Sequence, residues 1–173
     1  MIRIKLSGLT GMEDIALANR LRPDFADLPA PTAEYRAALD RTILSTGRFV
    51  RETPDEIIAC CQNGVVDVVQ LDGGQDAGFL NNLRSRTGAI LLLPARLTSA
   101  DDLFALEALS GDFPLLTAAP DQPALLRRIN RPVILRIAQT EDLSRWITEY
   151  TPYAVEINIH LPHIENLFAL IRS

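Results

Sequence analysis

The sequence has no apolar run approaching the ~18 residues of a membrane-spanning helix, no surplus of positive charge, and little cysteine. Its N-terminus shows no charged segment followed by an apolar one, so the pattern of a secretory signal is missing and a cytoplasmic location is expected. The net charge is −5 and the pI is near 5.0. That balance leaves no basic face to displace phosphate counterions, which excludes nucleic acid as a partner, and its sign is wrong for an anionic membrane surface. The two cysteines, Cys60 and Cys61, are neighbours on a helical pattern. Adjacent helical side chains diverge by roughly 100°, so an ordinary disulfide is excluded and buried, inert thiols are the plain expectation. No Cys or His stands at ligand spacing from them, and neither a metal nor any other cofactor is expected.

What is present is a regular alternation. With 173 residues and 47% apolar content, a single domain over residues 1–173 with a sizeable core is expected. Ile2, Ile4 and Leu6 alternate with Arg3, Lys5 and Ser7, the period of a strand with one buried face. Gly8 closes that strand, and Thr10 with Glu13 three residues on has the spacing of a capping box for a helix over Gly11–Leu21. The pattern then repeats. Strands are expected at Pro23–Leu28, Ile43–Val50, Val65–Leu71, Ala89–Leu93, Phe113–Thr117, Pro132–Ile137 and Tyr153–Ile159. Helices are expected from Thr32 to Leu39, from Thr53 to Gly64, over Gln75–Arg86, from Thr98 or Ser99 towards Gly111, and over Pro123–Ile129, Thr140–Tyr150 and Ile164–Arg172. Thr53-Pro54-Asp55-Glu56 is the clearest of the helix starts, with an N-cap, Pro at the first position and two acids facing the positive end of the dipole.

Eight strand–helix units in strict order predict an α/β protein with a parallel sheet, and the number eight predicts closure into a (β/α)8 barrel. Each unit has roughly 22 residues, against a lower limit near 200 for whole barrels of this kind, so the barrel is minimal. An open, doubly wound parallel sheet is the alternative, with the segments Phe25–Leu28 and Ile43–Val50 as loops and a small-ligand site near Gly73-Gly74.

Seven short motifs fall at successive unit boundaries: Lys5-Leu-Ser-Gly-Leu-Thr10, Pro23-Asp-Phe25, Gly47-Arg-Phe-Val-Arg-Glu52, Val68-Val-Gln-Leu-Asp-Gly73, Leu93-Pro-Ala-Arg96, Pro132-Val-Ile-Leu135 and Pro152-Tyr-Ala-Val155. In order and spacing they resemble phosphoribosylanthranilate isomerase, the tryptophan-pathway barrel enzyme. That family carries K-(I/V)-C-G-(I/L)-T, P-D-(Y/F), G-V-F-V-N-E, A-V-Q-L-H-G, an Arg ending the fifth strand, P-V-I-L-A-G-G-L and P-Y-A-V-D-V-S-S-G-V-E. The resemblance implies an Amadori rearrangement of an aminoaldose phosphate, with Cys as general base and Asp as general acid.

The departures fall where that chemistry would sit. Ser7 stands at the Cys position, and a serine hydroxyl without a partner base is too weak an acid to replace a thiolate. Thr117 stands at the Asp position. The family's glycine-rich loop is missing, with only Ala119–Gln122 between strand and helix. Arg136-Ile-Ala-Gln139 and Asn158-Ile-His-Leu-Pro162 replace the small residues of the family's phosphate loops, so the side chains of Ile137, Ile159 and His160 are expected to crowd the backbone there. Two readings follow: a barrel of the isomerase type that has lost base, acid and phosphate cradle, or a working sugar-phosphate isomerase or lyase with a rebuilt site.

Candidate catalytic residues are Ser7, Asp72, Arg96 and Lys5, and candidate substrate- or phosphate-binding residues are Arg136 and Asn158. Asp72 is either an acid or base in the barrel mouth or a cap for the helix near Gln75. Arg96 would meet an anion or stand free on the rim. Lys5 would be catalytic or paired with Asp72 or Glu156, and Arg136 with Glu156 would form a second such pair. His160 and His163 flank Pro162, which spoils the geometry of a metal pair. The partners implied are a small anionic sugar phosphate and, through a self-associating face, a second copy of the chain.

Overall fold

The computed structural model describes residues 1–109, 111–117, 123–138, 140 and 143–173. Among them eight strands and eight helices alternate: β1 (Arg3–Ser7), α1 (Met12–Leu21), β2 (Phe25–Asp27), α2 (Ala33–Ala38), β3 (Leu44–Phe49), α3 (Pro54–Gln62), β4 (Val68–Leu71), α4 (Ala77–Arg86), β5 (Ile90–Ala95), α5 (Asp101–Glu107), β6 (Phe113–Thr117), α6 (Pro123–Leu126), β7 (Ile134–Arg136), α7 (Leu143–Tyr150), β8 (Ala154–Asn158) and α8 (Ile164–Arg172). Every strand is parallel to its neighbours in chain order, and β8 returns to β1 with registers from Arg3↔Ala154 to Ser7↔Asn158. The sheet is therefore closed. The open-sheet alternative falls with that pairing, and β2 and β3 are strands rather than loops.

The strands are buried on both faces, and the two faces bury different things. Outward residues such as Ile4, Leu6, Val69, Leu91, Leu116, Val155 and Ile157 join the inner faces of the helices in one continuous core, with Trp146 of α7 its largest buried side chain. Inward, Phe25, Val68, Leu92, Leu115, Ile134 and Ala154 form a separate apolar cluster that fills the barrel. A side-chain period of two explains the split: consecutive residues of each strand feed different cores.

Helix starts follow the sequence expectation at α2, where Thr32 accepts from the Tyr35 amide, and at α3, where Thr53 and Glu56 form a full capping box behind Pro54. Two others differ. At α1 the cap position is Gly11, without a side-chain bond, and the carboxylate of Asp14 takes the amide and hydroxyl of Thr10 at 2.7 and 2.8 Å. At α5 the cap position is Ala100, and Asp102 takes the amide and hydroxyl of Thr98 and the amide of Ser99. In both loops a carboxylate four residues on reaches back to the threonine. These hydrogen bonds, the Thr98 amide first, hold Asp102 down to about 2.

β4 begins at Val68 instead of Val65, because the Val65 amide is bound to the Cys60 carbonyl at the end of the preceding helix. α6 ends at Leu126, short of Ile129. The expected first-turn acids Glu141 and Asp142, and the connection Ala119–Gln122, lie outside the described residues. Cys60 and Cys61 are half-buried and free. Burial pushes the Cys61 thiol up to about 11 and raises that of Cys60, so both stay protonated near neutral pH.

Glycine is required at position 73 by close approach: a Cβ there would run into the Val50 carbonyl oxygen. Gly88, by contrast, has open space around the same position. Gly73→Ala should therefore lower stability by about 1–3 kcal/mol, as overpacking does, while Gly88→Ala should stay within about 0.5 kcal/mol. Urea denaturation of the two variants checks this, and equal stabilities would contradict it.

Candidate ligand site at the carboxyl end of the barrel

Above the apolar cluster inside the barrel, the period of two changes the chemistry. Two residues beyond Phe25, Val68, Ile134 and Ala154 stand Asp27, Gln70, Arg136 and Glu156, on the same inward faces. Register adds Thr46 beside Asp27 and Arg48 beside Gln70. A polar belt thus lies on an apolar floor, at the end of the barrel where strands hand over to helices.

Lys5, the only lysine in the sequence, anchors one side of this belt. Its Nζ donates to Asp27 Oδ1 at 2.6 Å and to Glu156 Oε2 at 2.8 Å, and the residue is 0% exposed. Arg136 Nε donates to the other oxygen of Glu156 at 2.7 Å. The pairing of Lys5 with Glu156 and of Arg136 with Glu156 agrees with the sequence reading. The pairing of Lys5 with Asp72 does not, because β2 places Asp27 nearer. A compact ammonium suits the gap between two carboxylates better than a planar guanidinium would.

Asp72 instead closes the other side. Its Oδ2 accepts from Arg48 Nε at 3.0 Å and Nη2 at 2.7 Å, and its Oδ1 accepts from Gln70 Nε2 at 2.9 Å. It is not a helix cap; Asp76 caps α4 by accepting from the Phe79 amide. Between the two halves Asp27 Oδ2, Thr46 Oγ1 and Gln70 Oε1 are buried without a hydrogen-bond partner among the described residues.

The two carboxylates around Lys5 shift in opposite directions, although burial acts on both in the same sense. Burial pushes Asp27 up, and the like charge of Glu156 adds to it, against the pull of Lys5. Burial acts on Glu156 in the same sense, but the charges of Lys5 and Arg136 and their hydrogen bonds outweigh it and hold Glu156 below its ordinary value.

A cleft of about 340 Å³ opens over this belt between the ends of β7, β8 and β1, with Ser7, Gly8, Arg48, Arg136, Glu156 and Asn158 in its walls. Ser7, Arg136 and Asn158 therefore meet there as expected. Ser7 is half-buried and its Oγ donates to the Ile157 carbonyl at 3.4 Å; no carboxylate or imidazole bonds to it among the described residues. Lys5 lies sealed beneath the cleft, and Arg96 is absent from its walls: it follows β5, is exposed, and makes no ion pair among the described residues. His160 faces Asp14 at 3.8 Å and His163 precedes α8 in a left-handed conformation. Among the described residues there is no cluster of three metal-ligating side chains, and no helix is long and apolar enough to cross a membrane.

The expected crowding at the phosphate loops takes a different form. Ile137 and Ile159 are buried with the outer core, and what occupies the backbone is hydrogen bonding. The Ile137 amide donates to the Glu156 carbonyl, that of Ile159 to Ser7, that of His160 to Asn158 Oδ1, and that of Leu161 to the Asn158 carbonyl. Four amides that could have faced an anion are engaged inside the protein.

Sequence reasoning missed Asp27 and Arg48. Alternation from Phe25 would have put Asp27 inside the barrel, and Arg48 is itself a departure from G-V-F-V-N-E, standing where that motif has Val.

The architecture defines the class: a (β/α)8 barrel with a polar cleft at the carboxyl ends of its strands. No protein-family model matches the chain. It is 35% identical over 96 residues to the N-(5'-phosphoribosyl)anthranilate isomerase of Endomicrobium trichonymphae, covering 50% of this chain and 48% of that protein. It is 28% identical over 149 residues to that of Lacticaseibacillus casei, covering 78% and 72%. In the first two such alignments the chain spans about half the length of the curated relatives it matches, 48% and 54%. Among solved structures, phosphoribosyl anthranilate isomerase from Thermotoga maritima superposes with a TM-score of 0.78 and 19% identity, over 99% of this chain and 97% of that one. An isomerase solved with reduced 1-(o-carboxyphenylamino)-1-deoxyribulose 5-phosphate superposes equally well, at 0.78 and 19% over the same shares. The chain is thus similar in sequence, over part of its length, and in fold to phosphoribosylanthranilate isomerases.

The opposed shifts of the two carboxylates give a pH signature. Glu156, ordinarily near 4.5 and lowered in the fold, contributes stability that is present above that value and lost as pH falls through its folded pKa. Asp27, ordinarily near 3.8 and raised, makes the fold lose stability as pH rises from 3.8 through its folded pKa. At pH 7, Glu156→Gln should cost about 3–5 kcal/mol, the usual cost of unpairing a buried charge. Asp27→Asn, which keeps an acceptor for Lys5, should cost clearly less and remove the decline with rising pH. Denaturation curves between pH 3 and 8 measure both, and the reverse order of the two variants would refute the assignment.

Proposed function

We propose that this chain is an isomerase-related barrel that has given up the aminoaldose phosphate rearrangement and takes a different small anionic ligand in the same mouth. The observation that carries this reading is the state of Ser7. The resemblance puts it at the position of a general base, yet among the described residues its hydroxyl bonds only to a backbone carbonyl and to no group that would accept its proton. Thr117, at the position of the general acid, has no ionisable group. Positioned acid–base groups contribute about 10²–10⁴-fold each to such reactions, so losing both leaves little turnover.

A second reading, a working sugar-phosphate isomerase or lyase with rebuilt chemistry, draws on the cleft, which persists at the carboxyl ends of the strands where barrel enzymes work. Its best acid–base candidate, Asp72, is poorly suited: both carboxylate oxygens are held by Arg48 and Gln70. Lys5 is no better, being sealed between two carboxylates.

The test is turnover of N-(5'-phosphoribosyl)anthranilate by the purified protein, together with rescue of a tryptophan auxotroph lacking the isomerase. The expected result is no rescue, and a rate at least about 10²–10⁴-fold below that of a relative with Cys and Asp in place. Robust isomerisation abolished by Ser7→Ala would overturn the proposal.

A further inference from the structure

We infer that Arg48 and Arg136 form a two-sided clamp for a compact dianion in the cleft at the carboxyl end of the barrel. The inference rests on the reading that the mouth has changed its ligand. β3 and β7 are four strands apart in a closed barrel of eight, so the two arginines rise from opposite walls, and both line the same cleft.

Each guanidinium is held from behind by a carboxylate and free in front. Asp72 occupies the Nε and Nη2 of Arg48, leaving Nη1. Glu156 occupies only the Nε of Arg136, leaving both terminal nitrogens. Among the described residues these three nitrogens have no protein partner. Their side chains are 51% and 39% exposed, in contrast to the 3% of Glu156 beneath. The carboxylates therefore orient the two planes without using up their donors, and a planar fork fixed in this way matches the paired oxygens of a carboxylate or phosphate group.

The charge in the mouth points the same way. The cations reach further into solvent than the carboxylates that hold them: the side chains of Arg48 and Arg136 are 51% and 39% exposed, against 18% for Asp72 and 3% for Glu156. The backbone amides of Ile137, Ile159, His160 and Leu161 are engaged inside the protein, whereas the two side-chain forks face the cleft. A ligand with negative oxygens facing both walls, such as a phosphomonoester or a small dicarboxylate, uses both free edges; a monoanion uses one. Neither arginine is present in the motifs the chain otherwise resembles. Val stands at the place of Arg48 in G-V-F-V-N-E, and Ala at that of Arg136 in P-V-I-L-A-G-G-L. The two cations stand on facing walls of one cleft.

The test is calorimetric titration at pH 8 and fixed ionic strength with malonate, inorganic phosphate and acetate. Saturable 1:1 binding of malonate or phosphate, with acetate weaker by about tenfold or more, is expected. Arg48→Gln, which breaks only a half-exposed pair, should weaken that binding by about tenfold or more. Arg136→Lys keeps a positive charge beside Glu156 but removes the fork, and should do the same. Thermal unfolding of each variant shows that it is folded. No binding of either dianion, acetate binding as tightly as both, or unchanged affinity in both variants would overturn the clamp. Absent binding with absent isomerisation removes the clamp and leaves the proposed function standing. Clamp binding alongside robust turnover removes the proposed function and leaves the clamp.

Discussion

The ammonium of Lys5 lies between two carboxylates that come from the strands on either side of it, and the upper half of the barrel is arranged around that contact. β8, β1 and β2 are the strands where the sheet closes on itself, so the Glu156–Lys5–Asp27 bridge crosses the seam. Each member is buried, and a buried ion is tolerated only when partners replace the water it has lost. Removing one partner strands the others. This ties the register of the closing strands to a particular set of side chains, in addition to the apolar packing on the outer face. Below the bridge the barrel is filled by an apolar cluster; above it, Arg136 and the Arg48–Asp72–Gln70 group continue the polar belt to the rim.

The same contact governs what the mouth can do. Lys5 is on the first strand, two residues before Ser7. Held at 2.6 and 2.8 Å from two carboxylates and out of reach of solvent, it is a structural cation. Ser7 lines the cleft, and among the described residues its hydroxyl bonds only to the Ile157 carbonyl. The cationic groups that do reach the cleft are the arginines, which stay charged at any pH the fold experiences and cannot act as bases. Binding without proton transfer is the chemistry we propose for these groups.

Much of the fold was legible in the sequence because its signals are local. Short apolar stretches between turn and cap signals located all eight strands, and the number of units implied closure. The start of α3 was plain from Thr53, Pro54 and Glu56, a signature contained in four consecutive residues. Thr10 and Thr98 were misjudged because the carboxylate that serves each lies four residues on and binds the loop ahead of the helix, so the +3 rule pointed to the wrong acid at the first of them. The site was legible in part. Ser7, Arg136 and Asn158 share a cleft as strand-end counting suggested, and the Glu156 pairs were foreseen. The choice between Asp27 and Asp72 for Lys5 depends on which inward side chains face each other across a tilted, closed sheet, and that is a property of register, which no local pattern states. Arg96 was left between an anion contact and a free place on the rim; it follows the last residue of β5, is exposed, and does not line the cleft.

The sequence has a single lysine, so amine labelling reports on the central contact without ambiguity. Native protein treated with an acylating reagent and analysed by mass spectrometry should take one label, at the N-terminal amine, and a second at Lys5 only after unfolding. Labelling of Lys5 in the native protein at the rate of the N-terminal amine would mean that its bridge to Asp27 and Glu156 does not hold, and the account built on it would fail.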